Sequence, residues 1–243
     1  AALQFPEDRK ILMITKEIIE HSDSFLAQGG ICVLKTPEDY QSFFDDTLKA
    51  GHYENRRESV DIMIRSSRDT IQELIGYGVD FARASDDTLL YTREGAHSKP
   101  RILYHEDETG KEITSCLLSQ VRKNKPNVQI LENTAMVDLV CTGNTCLGVV
   151  IRRSDGSYDT IPADYTMLAC GGIGGLYTHS TNYPQLTGDG LAVCMEHDVA
   201  LENINYVQIH PTTLYTKKPG RSFLISESVR GEGALLYNAK MER

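Results

Sequence analysis

The chain has 243 residues and a formal net charge of −9 at pH 7, and 24% of its residues are charged, as in an ordinary globular protein. This acidic balance, with no run rich in Lys and Arg, argues against a nucleic-acid-binding protein, and no apolar run is long enough to span a bilayer. Six scattered cysteines without a CxxC spacing predict no metal site, and we expect reduced thiols and a cytoplasmic location.

The N-terminal part of the chain predicts a strand and then a helix. Residues 9–16 contain an apolar run that is typical of a short, buried, parallel strand ending at Lys16. In a parallel α/β sheet, this end of a strand presents its groups to a nucleotide. Thr36 before Pro37 predicts the start of a helix with Thr36 as its N-cap, and the helix is expected to continue to about Lys49.

Two further helices are predicted from apolar spacing and from their ends. Residues 59–75 carry apolar side chains at helical intervals, and Gly76 is the expected end of this helix. Thr109 and Glu112 fit a capping box, which predicts another helix that runs to about Arg122.

The next part of the chain is rich in predicted strands. The strands are expected over residues 127–131, 136–141 and 146–152. A turn over residues 142–145 joins the last two, and Cys141 and Cys146 flank it as two reduced thiols or, alternatively, as a cross-strand disulfide.

Another buried strand is predicted over residues 165–170, and it leads into the glycine-rich residues 171–175. A dinucleotide-binding GxGxxG fingerprint would need glycine at position 177, which is Tyr177, so this motif is excluded. A strand that ends in a glycine-rich turn can still bring backbone close to a phosphate. A short helix is predicted from Gly188 to about His197.

Polar side chains that suit a small dianion cluster near the C-terminal end. His210 and Ser226 can hydrogen-bond carboxylate oxygens, and Arg230 supplies a fixed positive charge. Glu227 and Arg230 are three residues apart, so on a helix they share a face and can pass a proton. The alternative is that these residues form an ordinary polar loop and a capped helix.

Three motifs, taken together, resemble one flavoprotein family. They are Ala27-Gln28-Gly29-Gly30, Thr187-Gly188-Asp189-Gly190, and His210-Pro211-Thr212 followed by the Arg230-Gly231-Glu232-Gly233 segment. In this order they are similar to the succinate dehydrogenase, fumarate reductase and L-aspartate oxidase flavoprotein family. The resemblance covers essentially the whole chain.

The resemblance implies a fold and a cofactor. We expect an α/β protein with an incomplete Rossmann-like FAD-binding domain over residues 1–203 and the start of an α+β capping domain over residues 204–243. FAD is the expected cofactor. Members of the family begin with a strand and a GxGxxG turn, and they continue beyond the RGEG segment with further catalytic residues. We therefore expect this chain to be an internal fragment, inactive by itself.

The resemblance also assigns cofactor-binding residues. In the dehydrogenases of the family, a histidine four residues before the Ala of the AQGG motif carries flavin covalently, but that position here is Asp23, and His21 lies two residues too early. FAD is therefore expected to be bound non-covalently. The residues that the resemblance places around it are Lys16, Asp23, Ser24, Phe25, Leu26, Ala27, Gln28, Gly29, Gly30, Met136, Val137 and Asp189.

Within the family, Glu94 favours the branch that acts on an amino acid. Residues 92–98 resemble the segment that carries the substrate-binding glutamate of that branch, and a carboxylate can pair with an α-ammonium group. The expected reaction is the oxidation of L-aspartate to iminoaspartate, the first step of quinolinate and NAD synthesis, with oxygen or fumarate as acceptor. Quinolinate synthase is then an expected downstream partner. Without the flanking motif, Glu94 would be taken for a solvated loop carboxylate.

The remaining roles follow from the same resemblance. His210 and Ser226 are expected to bind the substrate carboxylates, with Ser226 in place of the family's usual threonine, and Glu227 and Arg230 to form a proton relay. The alternative function is that of a fumarate reductase or succinate dehydrogenase flavoprotein subunit.

Overall fold

The computed structural model describes residues 1–217, 220–226, 229–230 and 233–243. The described chain forms two compact units. We call Ala1–Asp23 with Val121–Leu224 the sheet unit, and Ser24–Gln120 with Ile225–Arg243 the helical unit. The predicted boundary between residues 203 and 204 stays a prediction.

The elements follow one another as short strands and longer helices. The helices are α1 Asp23–Leu26, α2 Tyr40–Ala50, α3 Arg57–Gly76, α4 Thr109–Asn124 and α5 Asp189–Glu196. The strands are β1 Ile11–Ile14, β2 Ile31–Cys32, β3 Ile102–Leu103, β4 Val128–Leu131, β5 Ala135–Thr142, β6 Thr145–Arg152, β7 Tyr158–Pro162, β8 Thr213–Leu214 and β9 Phe223–Leu224. Single turns of 3-10 helix lie at Pro37–Asp39 and Gly174–Leu176.

The sheet unit contains the predicted parallel strand and the predicted hairpin. β1 pairs in parallel with β4, and β5, β6 and β7 form an antiparallel sheet in that order. Apolar side chains of β5 and β6 pack with Val193 of α5, which places a small core on one face of this sheet. The register shifts between Met136 and Asp138, so Val137 is the extra residue of a β-bulge.

The helical unit has two apolar clusters that share α3. Val60 and Ile64 pack with Phe43, Phe44 and Leu48 of α2. About two to three turns later, Ile71 and Leu74 pack in a second cluster that includes Phe81 and Leu103. The helical spacing predicted for residues 59–75 therefore describes a real buried face, and the helix extends from Arg57 to Gly76.

The predicted end of α3 at Gly76 is confirmed, and Tyr77 is its C-cap. Two other local predictions are wrong. Residues 165–170 are not a strand: Tyr165 is 91% exposed and Met167 is 69% exposed, because no strand in the described part of the chain pairs with them. The capping box at Thr109 does not form, since Glu112 Oε1 instead accepts a hydrogen bond from the Asp80 backbone N–H at 2.9 Å.

The described residues lack two features, a membrane-crossing helix and a metal-binding cluster. None of their helices is both long and apolar enough to cross a membrane. They also contain no group of three or more His, Cys, Asp or Glu side chains that can hold a metal ion.

Candidate functional site

Glu94 lies against the AQGG loop, which we define as residues 27–30. Gly29 has a φ of +68°, a conformation that side-chain-bearing residues rarely adopt. A Cβ atom added at Gly29 would lie 2.7 Å from Oε1 of Glu94. The carboxylate therefore approaches the backbone of the loop at a distance that only glycine permits.

The N-terminus of α4 is hydrogen-bonded to the AQGG loop. The Thr109 hydroxyl donates a hydrogen bond of 2.5 Å to the carbonyl of Gly29, and the Gly110 N–H donates one of 2.9 Å to the carbonyl of Ala27. Thr109 is 3% exposed, so its hydroxyl is committed to these backbone contacts. These two hydrogen bonds hold the carbonyl groups of Ala27 and Gly29 in place.

Gln28 supplies a buried acceptor in the same loop. Its Oε1 atom is buried and has no hydrogen-bond partner within the described residues. A buried polar atom left in this way costs about 1–3 kcal/mol, so such atoms commonly receive a donor from a bound group. The loop thus has a place for a ligand donor.

In the sheet unit, Lys16 and Asp189, which the sequence analysis placed separately among the cofactor-binding residues, form an ion pair. Lys16 Nζ, at the end of β1, donates to Oδ2 of Asp189 at 2.6 Å and to Oγ1 of Thr187 at 2.8 Å. Burial by itself would raise the pKa of Asp189, but the hydrogen bonds from Lys16 and Thr187 outweigh it and lower that pKa. Asp189 is therefore ionised at neutral pH, and the pair fixes the start of α5 against the end of β1.

The side chain of Asp23 is occupied by protein donors. Its carboxylate accepts hydrogen bonds from the Asn182 side-chain amide and, at 3.2 Å, from the Tyr183 N–H. His21 Nδ1 lies 2.9 Å from Oε2 of Glu17, and its ring stacks on Tyr183 with centroids 5.2 Å apart. Asp23 thus anchors residues 182–183, and His21 is engaged at the surface.

Ser24, Phe25 and Leu26 complete α1, which leads into the AQGG loop. In the sheet unit, Met136 pairs with Ile151, and Val137 is the bulged residue of β5. Bulges re-aim side chains and are frequent next to binding sites. The role of Met136 and Val137 in cofactor binding stays a prediction.

The C-terminal cluster is divided between the two units. In the sheet unit, His210 Nδ1 lies 2.9 Å from the carbonyl and 3.2 Å from the N–H of Thr212. In the helical unit, the buried Ser226 hydroxyl donates to Oδ1 of Asp107 at 2.6 Å. Arg230 is partly exposed, and Glu227 lies outside the described residues.

The sequence prediction missed three residues that hold this geometry. Asp107 binds Ser226, Asn182 binds Asp23, and Thr109 binds the AQGG loop. Thr109 was predicted only as part of a capping box, and the contact of Asp107 with Ser226 spans 119 residues of the chain. Asn182 gives no signal, because its contact spans 159 residues of the chain.

Comparison with known proteins decides the family. The family model "FAD binding domain" matches residues 1–243. The chain belongs to this FAD-binding domain family. Its cofactor is FAD, and the resemblance to the succinate dehydrogenase, fumarate reductase and L-aspartate oxidase flavoproteins is confirmed. Non-covalent attachment stays a prediction.

The curated relatives share one name. L-aspartate oxidase of Clostridium perfringens is 44% identical over 100% of this chain and 55% of the relative. L-aspartate oxidase of Pseudomonas aeruginosa is 36% identical over 100% of the chain and 47% of the relative. The chain thus spans about half the length of the relatives it matches.

Solved structures confirm the predicted α/β FAD-binding fold. The E. coli quinol fumarate reductase chain FrdA matches with a TM-score of 0.91 at 27% identity, over 99% of this chain and 41% of that one. Mycobacterium smegmatis Sdh1 matches with a TM-score of 0.80 at 26% identity, over 96% of this chain and 42% of that one.

The residues present fit FAD. The cofactor carries N–H and O–H donors that can satisfy the buried Gln28 Oε1, which is left without a partner among the described residues. The AQGG backbone, with its left-handed Gly29, is the kind of glycine-containing loop that allows close approach of a planar group.

Proposed function

We propose that the full-length protein oxidises L-aspartate to iminoaspartate. The observation that carries the proposal is the Glu94 carboxylate against Gly29 of the AQGG loop. It supplies a negative charge beside the loop that is expected to wrap the flavin, where an α-ammonium group needs a partner. The L-aspartate oxidases among the relatives support the same substrate.

FAD supplies the two-electron oxidant that the reaction needs. Loss of two electrons and two protons converts the Cα–NH₂ group of aspartate to an imine. Oxygen takes up the same two electrons and two protons to give hydrogen peroxide, or fumarate takes them up to give succinate. The protein's task is to bind the amine, hold both carboxylates and move the protons.

We assign the substrate contacts as follows. Glu94 pairs with the α-ammonium group, and His210 and Ser226 bind the carboxylates. The Ser226 hydroxyl donates to Asp107 in this structure, so its proton must turn toward the substrate for it to bind a carboxylate as a donor. Glu227 and Arg230 are the proposed proton relay.

The proposed cofactor contacts are described unit by unit. The sheet unit contributes Lys16, Asp23, Met136, Val137 and Asp189. The helical unit contributes the run from Ser24 to Gly30. Because Asp23 stands where a histidine would be needed and its carboxylate binds Asn182 and Tyr183, we propose that FAD is held without a covalent bond.

The product suggests a place for the reaction in the cell. Iminoaspartate hydrolyses readily, so an enzyme that consumes it promptly is expected, and quinolinate synthase is the proposed downstream partner. We propose the cytoplasm as its location and a capping domain that begins near Ile204.

Replacement of Glu94 tests the proposal directly. In full-length Glu94→Gln, kcat/KM for L-aspartate should fall about 100-fold, because the charge-assisted bond to the ammonium group is lost. Fumarate reduction by the chemically reduced protein should change less than about twofold. The control is Glu7→Gln, which removes an exposed carboxylate. An unchanged L-aspartate kcat/KM in Glu94→Gln would remove the basis of the proposal.

The alternative is a fumarate reductase or succinate dehydrogenase flavoprotein subunit. The TM-score of 0.91 with the E. coli quinol fumarate reductase chain favours it at the level of the fold. It predicts rapid succinate oxidation or fumarate reduction that is indifferent to Glu94, and little turnover of L-aspartate. The same Glu94→Gln measurement therefore separates the two functions.

A further inference from the structure

Glu94 lies in a loop whose base is closed by backbone hydrogen bonds. We call residues 93–100 the Glu94 loop. The Thr92 N–H donates to the Ile102 carbonyl at 2.9 Å, and the Ile102 N–H donates back at 3.1 Å. Within the loop, the His97 N–H donates to the Glu94 carbonyl at 3.0 Å, which forms a tight turn. These bonds close the base of the loop and form a turn within it. Other contacts hold its C-terminal half.

Arg101 stands at the end of this loop and is completely buried. Its guanidinium makes a two-pronged contact with Asp39, with Nε 3.1 Å from Oδ2 and Nη2 3.0 Å from Oδ1. Nη1 donates to Oδ2 of Asp46 at 2.6 Å. Lys99 adds a second cation, 3.3 Å from Asp39. Two carboxylates and two cations therefore balance, which is the condition for holding charges in a protein interior.

Asp46 connects this buried charge to the Glu94 loop. Its Oδ2 atom also accepts hydrogen bonds from the N–H and the hydroxyl of Ser98, at 2.8 and 2.7 Å. Arg101 Nη1 lies 3.1 Å from Nδ1 of His97, whose backbone N–H binds Glu94. One carboxylate of α2 thus ties the C-terminal half of the loop to a fixed guanidinium.

The ionisation of the cluster agrees with a permanent clamp. Burial by itself would raise the pKa of Asp39, but the hydrogen bonds from Arg101 and Ser42 lower it to about 2. Burial would likewise raise the pKa of Asp46, and the bonds from Ser98 and Arg101 lower it. Both carboxylates stay ionised throughout the range in which an enzyme works, so the contacts do not come and go with pH.

We propose that Arg101 and Asp46 are positioning residues that hold the Glu94 loop so that the Glu94 carboxylate stays against Gly29, and that they thereby set the preference for an amino dicarboxylate over a plain dicarboxylate. The inference rests on the proposed function. A buried ion pair is seldom the most stable filling for a core, and one that fixes a particular loop geometry is better explained by specificity. A shift of the Glu94 carboxylate by a fraction of an ångström weakens its pairing with an ammonium group and leaves the carboxylate-binding contacts unaffected.

The test is a pair of variants in the full-length protein. In Asp46→Asn, the KM for L-aspartate should rise about tenfold because a charge-assisted clamp is weakened, and kcat should change less than about twofold. The KM for fumarate, measured by reoxidation of the chemically reduced protein, should stay the same. Ser98→Ala removes a single exposed hydroxyl and should raise the KM for L-aspartate about threefold. The Ser98 variant decides the matter if Asp46→Asn does not fold.

The control breaks a carboxylate–arginine pair away from the loop. Asp159 lies on β7 and pairs with Arg153 at 2.9 Å, so Asp159→Asn should leave both KM values unchanged. Equal increases for L-aspartate and fumarate in Asp46→Asn would overturn the positioning role, as would an unchanged ratio of the two KM values. If the wild-type protein does not oxidise L-aspartate, the proposed function fails first and takes this inference with it.

Discussion

In the proposed function, a single carboxylate, that of Glu94, separates the two chemistries considered for this protein. Its partner Gly29 is in the left-handed region with a φ of +68°, so the contact depends on the smallest side chain in the loop. Glu94 also lies in a loop that the buried Arg101 borders. At the scale of the residue, the proposed substrate preference therefore rests on a backbone conformation and a buried cation as well as on the glutamate.

Gly29→Ala tests whether FAD content and the KM for L-aspartate depend on the conformation of the AQGG loop. The new Cβ would lie 2.7 Å from Glu94 Oε1, and the left-handed backbone costs a non-glycine residue about 1–2 kcal/mol. We expect less FAD per full-length protein and a higher KM for L-aspartate, measured by flavin absorbance and steady-state kinetics.

The matched control is Gly76→Ala in α3, where no atom lies within 4 Å of the added Cβ. Alanine there should stabilise the protein by about 0.5–1 kcal/mol in urea unfolding, because it favours the helix. Full FAD content together with a wild-type KM in Gly29→Ala would show that the AQGG loop tolerates a side chain, and the cofactor-loop assignment would fail.

At the scale of the element, the first residue of α4 connects the helix to the proposed site. Its first residue, Thr109, was predicted as half of a capping box, but its hydroxyl instead donates to Gly29 and accepts a bond of 3.0 Å from the His105 N–H. The start of α4 is therefore joined to the AQGG loop and to the segment that holds Asp107. One helix end organises two groups of proposed site residues.

Thr109→Val tests this connection. Valine keeps the shape of the side chain and removes both hydroxyl bonds, so we expect a loss of about 1–3 kcal/mol in the free energy of unfolding. The affinity for FAD should fall in parallel, which flavin fluorescence titration of the apoprotein would measure. Thr109→Ser keeps the hydroxyl and should retain both properties. An unchanged FAD affinity in Thr109→Val would show that the start of α4 does not contribute to cofactor binding.

The sequence predicts those elements whose signal is local. The spacing of Val60, Ile64 and Ile71 is enough to place α3, and the turn predicted over residues 142–145 between apolar strands is enough to place the β5–β6 hairpin. The apolar run of residues 165–170 misleads, because a strand depends on a neighbour that the run itself does not specify.

The site residues also fall into those that the sequence predicted and those that it could not. The sequence predicted the AQGG loop, Glu94, Lys16 and Asp189 as site residues, but it did not predict that Lys16 and Asp189 form an ion pair. The contacts that hold these residues could not be predicted, because they join distant parts of the chain. Arg101 and Asp39 are 62 residues apart, and Asp107 and Ser226 are 119 apart. No periodicity or spacing rule reports on such pairs.

At the scale of the whole molecule, the fold alone does not decide the substrate. The chain matches an E. coli quinol fumarate reductase chain with a TM-score of 0.91, and an L-aspartate oxidase at 44% identity. Members of this fold differ in the few side chains that contact the substrate, so the choice between them belongs to the chemistry of the site.

Anaerobic reduction of the bound flavin tests the central claim most directly. The full-length protein would be mixed with L-aspartate, and a second sample with succinate, while the flavin absorbance near its visible maximum is followed. We predict that L-aspartate bleaches the flavin and that succinate at the same concentration does so far more slowly. Bleaching by succinate with none by L-aspartate would contradict the account and assign the protein to the dicarboxylate dehydrogenases.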